Sequence, residues 1–420
     1  MAVFIKNKQL YVFDDNNNYV PFNTVDNEIF LTADPIEGLF SFDDYYMAVH
    51  SSLSQRVPRL YLLNEDETVK QEVTEYLTAC SIDLSYEQGV TRSASVTLFN
   101  KDGIWTPNPI TGFLWKGSKF RIEVGLYYNG NIFWANYGIF TPVDPVIDDE
   151  AHTVQFQMQD KFAFLNGTIG GKIDSDFKIP VGTSVYDAIK ACLTAGKEAG
   201  TWYDTKPIIF PTNKSNIKTP YTISKSPGLT YGEIIIELAN MISCDVYYNE
   251  HGNLVVFGDS DDISLEDRTV LWNFNDTIPL YTQPNITMDL SKVVNKVTVV
   301  GAILNGYRFK GVAINNNANS RTNIHLTELN PEYIEDSNIT SDALCLSRAK
   351  YELQKRTLLG LQIKLNCVFI PNLLPGNLIT WTNTKHGFLN EKFFINSISL
   401  DVLNPTLMNI SLTNVREVSI

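Results

Sequence analysis

Apolar and polar residues alternate one by one over several stretches of this chain, first in Cys80-Ser81-Ile82-Asp83-Leu84 and again in Ala94-Ser95-Val96-Thr97-Leu98-Phe99. A period of two puts one side of a strand in a core and the other in water, so these runs predict half-buried β-strands. Phe120-Arg121-Ile122-Glu123-Val124 continues to Tyr127-Tyr128 and meets Asn129-Gly130. An Asn-Gly pair between two such runs predicts a tight hairpin, because both residues tolerate the positive φ of a type I′ turn. Residues 74–167 therefore read as a first antiparallel β-domain.

The period changes in residues 168–290, which read as an inserted α/β domain. Ser184-Val185-Tyr186-Asp187 has a capping pattern, with Val185, Ala188, Cys192 and Ala195 following at helical spacing before Gly196. Thr230-Tyr231-Gly232-Glu233 opens a second helix, in which Ile234, Leu238, Met241 and Ile242 share a face. A hairpin follows: Asp245-Val246-Tyr247-Tyr248, a turn from Asn249 to Gly252, then Leu254-Val255-Val256-Phe257. Strands return in residues 291–420, with Lys296 to Gly301 and Tyr307-Arg308-Phe309 about Asn305-Gly306, and again from Leu361. One helix, about 341–359, interrupts them, with Asp342 in its first turn and Lys350, Lys355 and Arg356 towards its end, as the helix dipole favours. Residues 1–73, rich in Asn and Asp at 14–18, read as a β-rich extension or an arm ordered on a neighbour. No repeat of fixed period is present, which argues against solenoids and propellers.

With 420 residues the chain exceeds the roughly 250–300 at which one core stops growing. Its 44% hydrophobic and 19% charged residues suit a globular protein. The opening MAVFIKNKQLYVF is too interrupted by lysine for a secretory signal, and no run approaches the ~18 apolar residues of a membrane span; a soluble product made in a cytoplasm is expected, without membrane insertion. The formal net charge of −14 argues against stable binding of nucleic acid through its phosphates. Five well-separated cysteines (Cys80, Cys192, Cys244, Cys345, Cys367) suit buried thiols better than a disulfide framework.

A search for chemistry assigns no catalytic, cofactor or metal residue. Leu165 to Ile173 comes nearest to a phosphate loop, but Asn166 and Ile173 stand where the motif needs Gly and Ser or Thr; a glycine-rich bend leaving a strand explains it. His50, His152, His251, His325 and His386 are isolated, without the spacing of a zinc site. Asp259, Asp261 and Asp262 start like a calcium loop, which Ile263 breaks. Gly182-Thr183-Ser184 lacks the second glycine of a nucleophile elbow, Tyr186 taking its place. Asp148-Asp149-Glu150 is the densest carboxylate cluster and reads as a solvated turn between strands. Tyr and Phe, 20 and 23 in number, are read as packing residues of strands.

The order of several turn motifs resembles the baseplate hub proteins of phage tails and of phage-derived contractile devices. Asn100-Lys101-Asp102-Gly103 with Pro107-Asn108-Pro109 is similar to the turn ending that family's first strand pair. Trp115-Lys116-Gly117, Tyr137-Gly138-Ile139-Phe140 and Gln159-Asp160-Lys161-Phe162-Ala163-Phe164-Leu165-Asn166-Gly167 match its next strands. Thr230 to Phe257 follows its helix and aromatic hairpin, with the Gly252-Asn253-Leu254 turn. Val294 to Gly301 resembles the strand that re-enters the tube, and Leu373-Leu374-Pro375-Gly376-Asn377 its Pro-Gly turn with Asn for Asp. The resemblance covers about residues 75–415. It implies a mainly β chain with an α+β insertion: two tube-type antiparallel β-barrel domains with a small α/β domain between them, three chains forming a ring. It further implies a non-enzymatic homotrimer in the virion tail baseplate, joining the tail tube to the central spike and letting DNA or an effector pass. The implied partners are the tail tube protein, the spike or a spike-associated lysin, and other baseplate proteins. A tail-associated cell-wall hydrolase and a receptor- or carbohydrate-binding tail component are the alternative readings.

Overall fold

The computed structural model describes residues 3–6, 9–13, 19–31, 42–108, 113–198, 200–258, 269–282, 284–288, 294–318, 320, 322–357, 361–404 and 406–414. The Asp259–Asp262 segment, Asn16 and its neighbours, and the far end of the 341–359 span lie outside them.

Most strands belong to one 14-stranded sheet. Its main path runs from Asn285–Met288 through Leu361–Cys367, Met408–Asn414, Phe388–Asp401, Leu77–Ser85, Arg92–Phe99, Thr153–Asp160, Asn131–Asp148, Lys119–Tyr128 and Gln55–Leu63 to Val69–Glu72. Val270–Phe274 joins in parallel beside Leu378–Asn383, and Asn27–Phe30 in parallel beside Asn131–Asp148. The alternation in Arg92–Phe99 does what its period demands: Ala94, Val96 and Leu98 are buried while Ser93, Ser95 and Thr97 are not. Behind that apolar side lies the main core, holding Phe120, Val124, Phe133, Phe156, Trp381 and Phe393. Helix α1, Phe42–His50, adds Tyr45, Ala48 and Val49 to it. Asn129 (φ 47°) and Gly130 (φ 82°) form the expected turn between Tyr128 and Asn131.

Three parts of the sequence-based division differ from this arrangement. Gln55–Leu63, expected in the 1–73 extension, pairs along its whole length with Lys119–Tyr128. Its faces are both covered, with Val57 beneath Leu10, Val25 and Trp134, so no period of two marks it. Val270–Phe274 and Asn285–Met288, expected in the 168–290 insertion, are strands of the large sheet. The 74–167 and 291–420 regions do not stand apart, because Ser81–Ser85 pairs with Ser397–Asp401 and makes one sheet of them. Such pairings join distant residues and leave no local pattern to read.

Inside the insertion, helix α2 (Val185–Thr194) starts at Ser184, whose Oγ accepts from Asp187 N at 3.1 Å. Helix α3 (Tyr231–Met241) has a full capping box: Thr230 Oγ1 accepts from Glu233 N, and Glu233 Oε2 accepts from Thr230 N at 2.8 Å. Val185, Ala188, Cys192, Ile234, Leu238, Met241 and Ile242 all enter a second core with the hairpin Cys244–Tyr248 and Leu254–Gly258. A third unit is a sheet ordered Tyr307–Ile314, Lys296–Leu304, Pro331–Glu335, with helix α4 (Asp342–Thr357) across one face. Its core is separate, built on Val297, Val299, Ala313, Cys345 and Leu353. No helix among the described residues is long and apolar enough to cross a membrane.

Candidate functional site

The register of the large sheet lines up polar residues across neighbouring strands, on the side away from the core. One row reads Gln157, Ser95, Ser81, Asp401. The next reads Gln159, Ser93, Asp83, Ser399, Asn409, Asn366, and a third Ser85, Ser397, Ser411, Lys364, Asn285. None of these side chains is buried, and Asp83, Asp401 and Lys364 are the charged ones. Small uncharged polar groups on strands with opposed Ile82, Val96, Phe156, Ile398 and Ile410 give a wide face that is wet without carrying a strong field. Gln157 Nε2 donates to Ser95 Oγ at 3.1 Å across the first row. A depression of about 450 Å³ lies in this face, lined by Asp83, Ser85, Ser93, Lys364, Ser397 and Ser411 among others.

A buried charge cluster fixes the inserted lobe beside that face. Lys161, 1% exposed, has its Nζ 2.7 Å from Glu67 Oε1 and 2.7 Å from Asp204 Oδ2, and donates to the Gly252 carbonyl at 2.9 Å. Lys119 Nζ reaches Glu67 Oε1 at 3.1 Å, and Lys206 Nζ reaches Oε2 at 2.5 Å. Burial by itself would raise the Glu67 pKa, but Lys161, Lys206 and Lys119 outweigh it and hold the carboxyl below its ordinary value. Tyr248 donates from its hydroxyl to Asp204 at 3.0 Å. Glu67, Lys119 and Lys161 come from the large sheet and its turns, whereas Asp204, Lys206, Tyr248 and Gly252 come from the insertion. Gly252 has φ 74°, and a Cβ there would lie 2.8 Å from Ile139 Cδ1, so the Gly-x-Leu turn needs its glycine to let the lobes meet.

Asp160, the preceding residue, is fully buried. Its Oδ2 accepts from Thr91 N at 2.8 Å and Arg92 N at 3.0 Å, and its Oδ1 from Phe162 N at 2.9 Å. Burial pushes its pKa up to about 6 even against those donors. Arg92 then reaches across the junction, donating to the carbonyls of Tyr137 and Tyr248 at 2.9 and 3.1 Å and pairing with Glu250 at 3.2 Å. The Asp-Lys pair of the 159–167 motif is thus a junction between lobes. The sequence showed the motif, but its partners Glu67 and Asp204 carry no local signal.

The residues weighed for chemistry lie apart from one another. The 165–173 bend is a packed turn in which Gly167 N donates to Gly170 O, and a Cβ on Gly171 would strike Leu165 backbone at 2.5 Å, leaving no cradle for a phosphate. Asp148, Asp149 and Glu150 are exposed on a turn. His50 packs its ring 3.8 Å from that of Tyr46. All five cysteines are buried and unbridged, and burial pushes the Cys80, Cys192 and Cys367 thiols up. No group of three or more metal-ligating side chains occurs among the described residues.

Residues 322–418 match a family described as a domain of unknown function (DUF5048), a stretch that crosses from the α4 unit into the large sheet. No curated protein matches the chain. Among solved structures the chain is similar to the tail protein from Neisseria meningitidis MC58, at 16% identity and a TM-score of 0.57, over 86% of this chain and 96% of that one. It is also similar to the 43 kDa tail protein of prophage MuSo2 from Shewanella oneidensis, at 15% identity and a TM-score of 0.54, over 86% and 99% of the two chains. The chain has the mainly β fold of these tail proteins.

Proposed function

We infer that this chain is a structural, non-enzymatic protein of a phage-type tail, and within the tail the baseplate hub. Three copies form a ring that joins the tail tube to the central spike, and the two halves of each large sheet, strands 55–160 and 361–414, serve as its tube-type domains. The observation that carries this reading is the polar face across seven strands, whose rows hold only Asp83, Asp401 and Lys364 as charged residues. A wall past which DNA or an effector slides must be wetted, yet must lack the clustered Lys and Arg that would hold phosphates. The near full-length likeness in fold to two tail proteins supports the same assignment. The partners are the tail tube protein, the spike or its lysin and surrounding baseplate proteins, and the location is the virion tail, after synthesis in the host cytoplasm.

Negative-stain electron microscopy of the purified protein, with particle classification, tests this. Three-fold rings with a central hole are expected. Monomers at every concentration would overturn the ring, and a lytic band on a peptidoglycan zymogram would overturn the reading in favour of the hydrolase.

A further inference from the structure

Two exposed surfaces of opposite character stand outside the features above. The first is the open face of the small sheet. Val297, Val299 and Ala313 point to α4, as does Glu332, which pairs with Arg356 of that helix at 2.8 Å. The intervening residues therefore lie on the opposite side, where the register brings Lys296, Val300, Lys310, Val312 and Tyr333 around Thr298, itself 2% exposed beneath them. Tyr333 is 70% exposed. Arg308 on this side has Glu335 as its partner, but among the described residues neither Lys296 nor Lys310 has a carboxylate partner. On this face Lys296, Arg308 and Lys310 stand with Glu335 as the carboxylate brought there by the register, in a chain that holds 33 Lys and Arg against 47 Asp and Glu. An apolar and basic face thus sits on an acidic molecule.

The second surface is the tip of the hairpin between Asn131–Asp148 and Thr153–Asp160. A bulge between Val143 and Val146, with Asp144 at φ 48°, turns the strand outwards. Val146 is 65% and Ile147 40% exposed, and Asp144, Asp148, Asp149 and Glu150 surround them without a basic partner among the described residues. Carboxylates alone would mark only a solvated turn. Branched aliphatics exposed between four carboxylates match, in both respects, an apolar sheet face edged by two lysines.

We propose that the acidic tip, residues 144–150, of one copy docks on the open face of the 294–357 sheet of the next copy. The proposal rests on the ring reading and names the contact that closes the ring. Two patches that complement each other and not themselves make a head-to-tail contact, which is the kind that generates rings. Opposed charges set its register and speed its formation, the aliphatic and tyrosine surface supplies burial, and salt weakens it.

The test uses the full chain, with association followed by mass photometry and sedimentation. Lys296→Glu with Lys310→Glu is expected to raise the dissociation constant of the oligomer about tenfold or more, as is Asp149→Lys with Glu150→Lys. All four together are expected to recover most of the loss, and circular dichroism checks that each variant folds. A Lys310→Cys, Asp149→Cys double variant is expected to cross-link only between copies. If copies associate and both reversals leave the association unchanged, this contact is wrong and the ring closes elsewhere. If the wild type stays monomeric at every concentration and the cysteines do not cross-link, the ring reading and this contact fall together.

Discussion

The Lys161 ammonium and the Glu67 carboxylate meet at 2.7 Å in the interior, where the large sheet touches the inserted lobe. Removing Lys161 leaves the buried Asp204 carboxylate without its cation, while Glu67 keeps Lys119 and Lys206. Lys161→Met is therefore expected to cost about 3–5 kcal/mol, read from urea unfolding. Lys206→Ala, at the wetter end of the cluster where the side chain is 31% exposed, is expected to cost below about 1 kcal/mol. Equal losses in the two variants would show that the cluster is not organised around Lys161.

Asp160 predicts a pH dependence of the opposite sign to that of Glu67. Its folded pKa of about 6 lies above the unfolded value near 3.9, so the native state holds the extra proton and stability from this group falls as pH rises through that window. Glu67, held low, adds stability above its unfolded pKa that is lost as pH falls through the folded one. In Asp160→Asn the amide cannot accept on both sides from Thr91, Arg92 and Phe162, so the variant is less stable than wild type at every pH. It also lacks the wild-type slope between about pH 4 and 6, so its deficit is largest in acid and shrinks towards neutrality. Urea midpoints of the two proteins across pH 4 to 7.5 check this, and a deficit that grows towards neutral pH would contradict it.

Thr230 anchors α3 through its reciprocal bonds with Glu233. Thr230→Ala removes the acceptor for Glu233 N and is expected to cost about 1 kcal/mol. Thr230→Ser keeps it and is expected to stay within about 0.5 kcal/mol of wild type in thermal melts.

What could be read from the chain was local. The Ser184 and Thr230 caps, the helical spacing of Ile234, Leu238 and Met241, and the Asn129-Gly130 turn all act within a few residues of themselves, and each appears where its pattern puts it. Gln55–Leu63 escaped because both faces are covered, which erases the alternation that betrays a strand. The pairing of Ser81–Ser85 with Ser397–Asp401 escaped because register between distant strands is settled by packing. The polar face shows the two levels side by side. Ser93, Ser95 and Thr97 are visibly the polar half of one strand, but only the register sets them in rows with Gln157, Ser399 and Asn366.

That face supplies the prediction closest to function. Ser93, Ser95, Ser397 and Ser399 lie on its solvent side, opposite Ala94, Ile398 and the core. Lysines placed there point into water, so Ser95→Lys with Ser399→Lys is expected to change folding stability by no more than about 1 kcal/mol. If the face lines a channel, the same substitutions set rings of cations along the path of a polyanion. Each added contact with phosphate releases counterions, so DNA that slides past the wild-type wall is held by the variant, more tightly as salt falls. In assembled particles the expected outcome is normal assembly with slowed or incomplete DNA release at low ionic strength, relieved by added salt. Val69→Lys with Gln71→Lys, both exposed on the outer edge strand of the sheet, adds an equal number of lysines as the control and is expected to leave release unchanged. Release that is insensitive to both sets would remove the polar face from the path of the DNA.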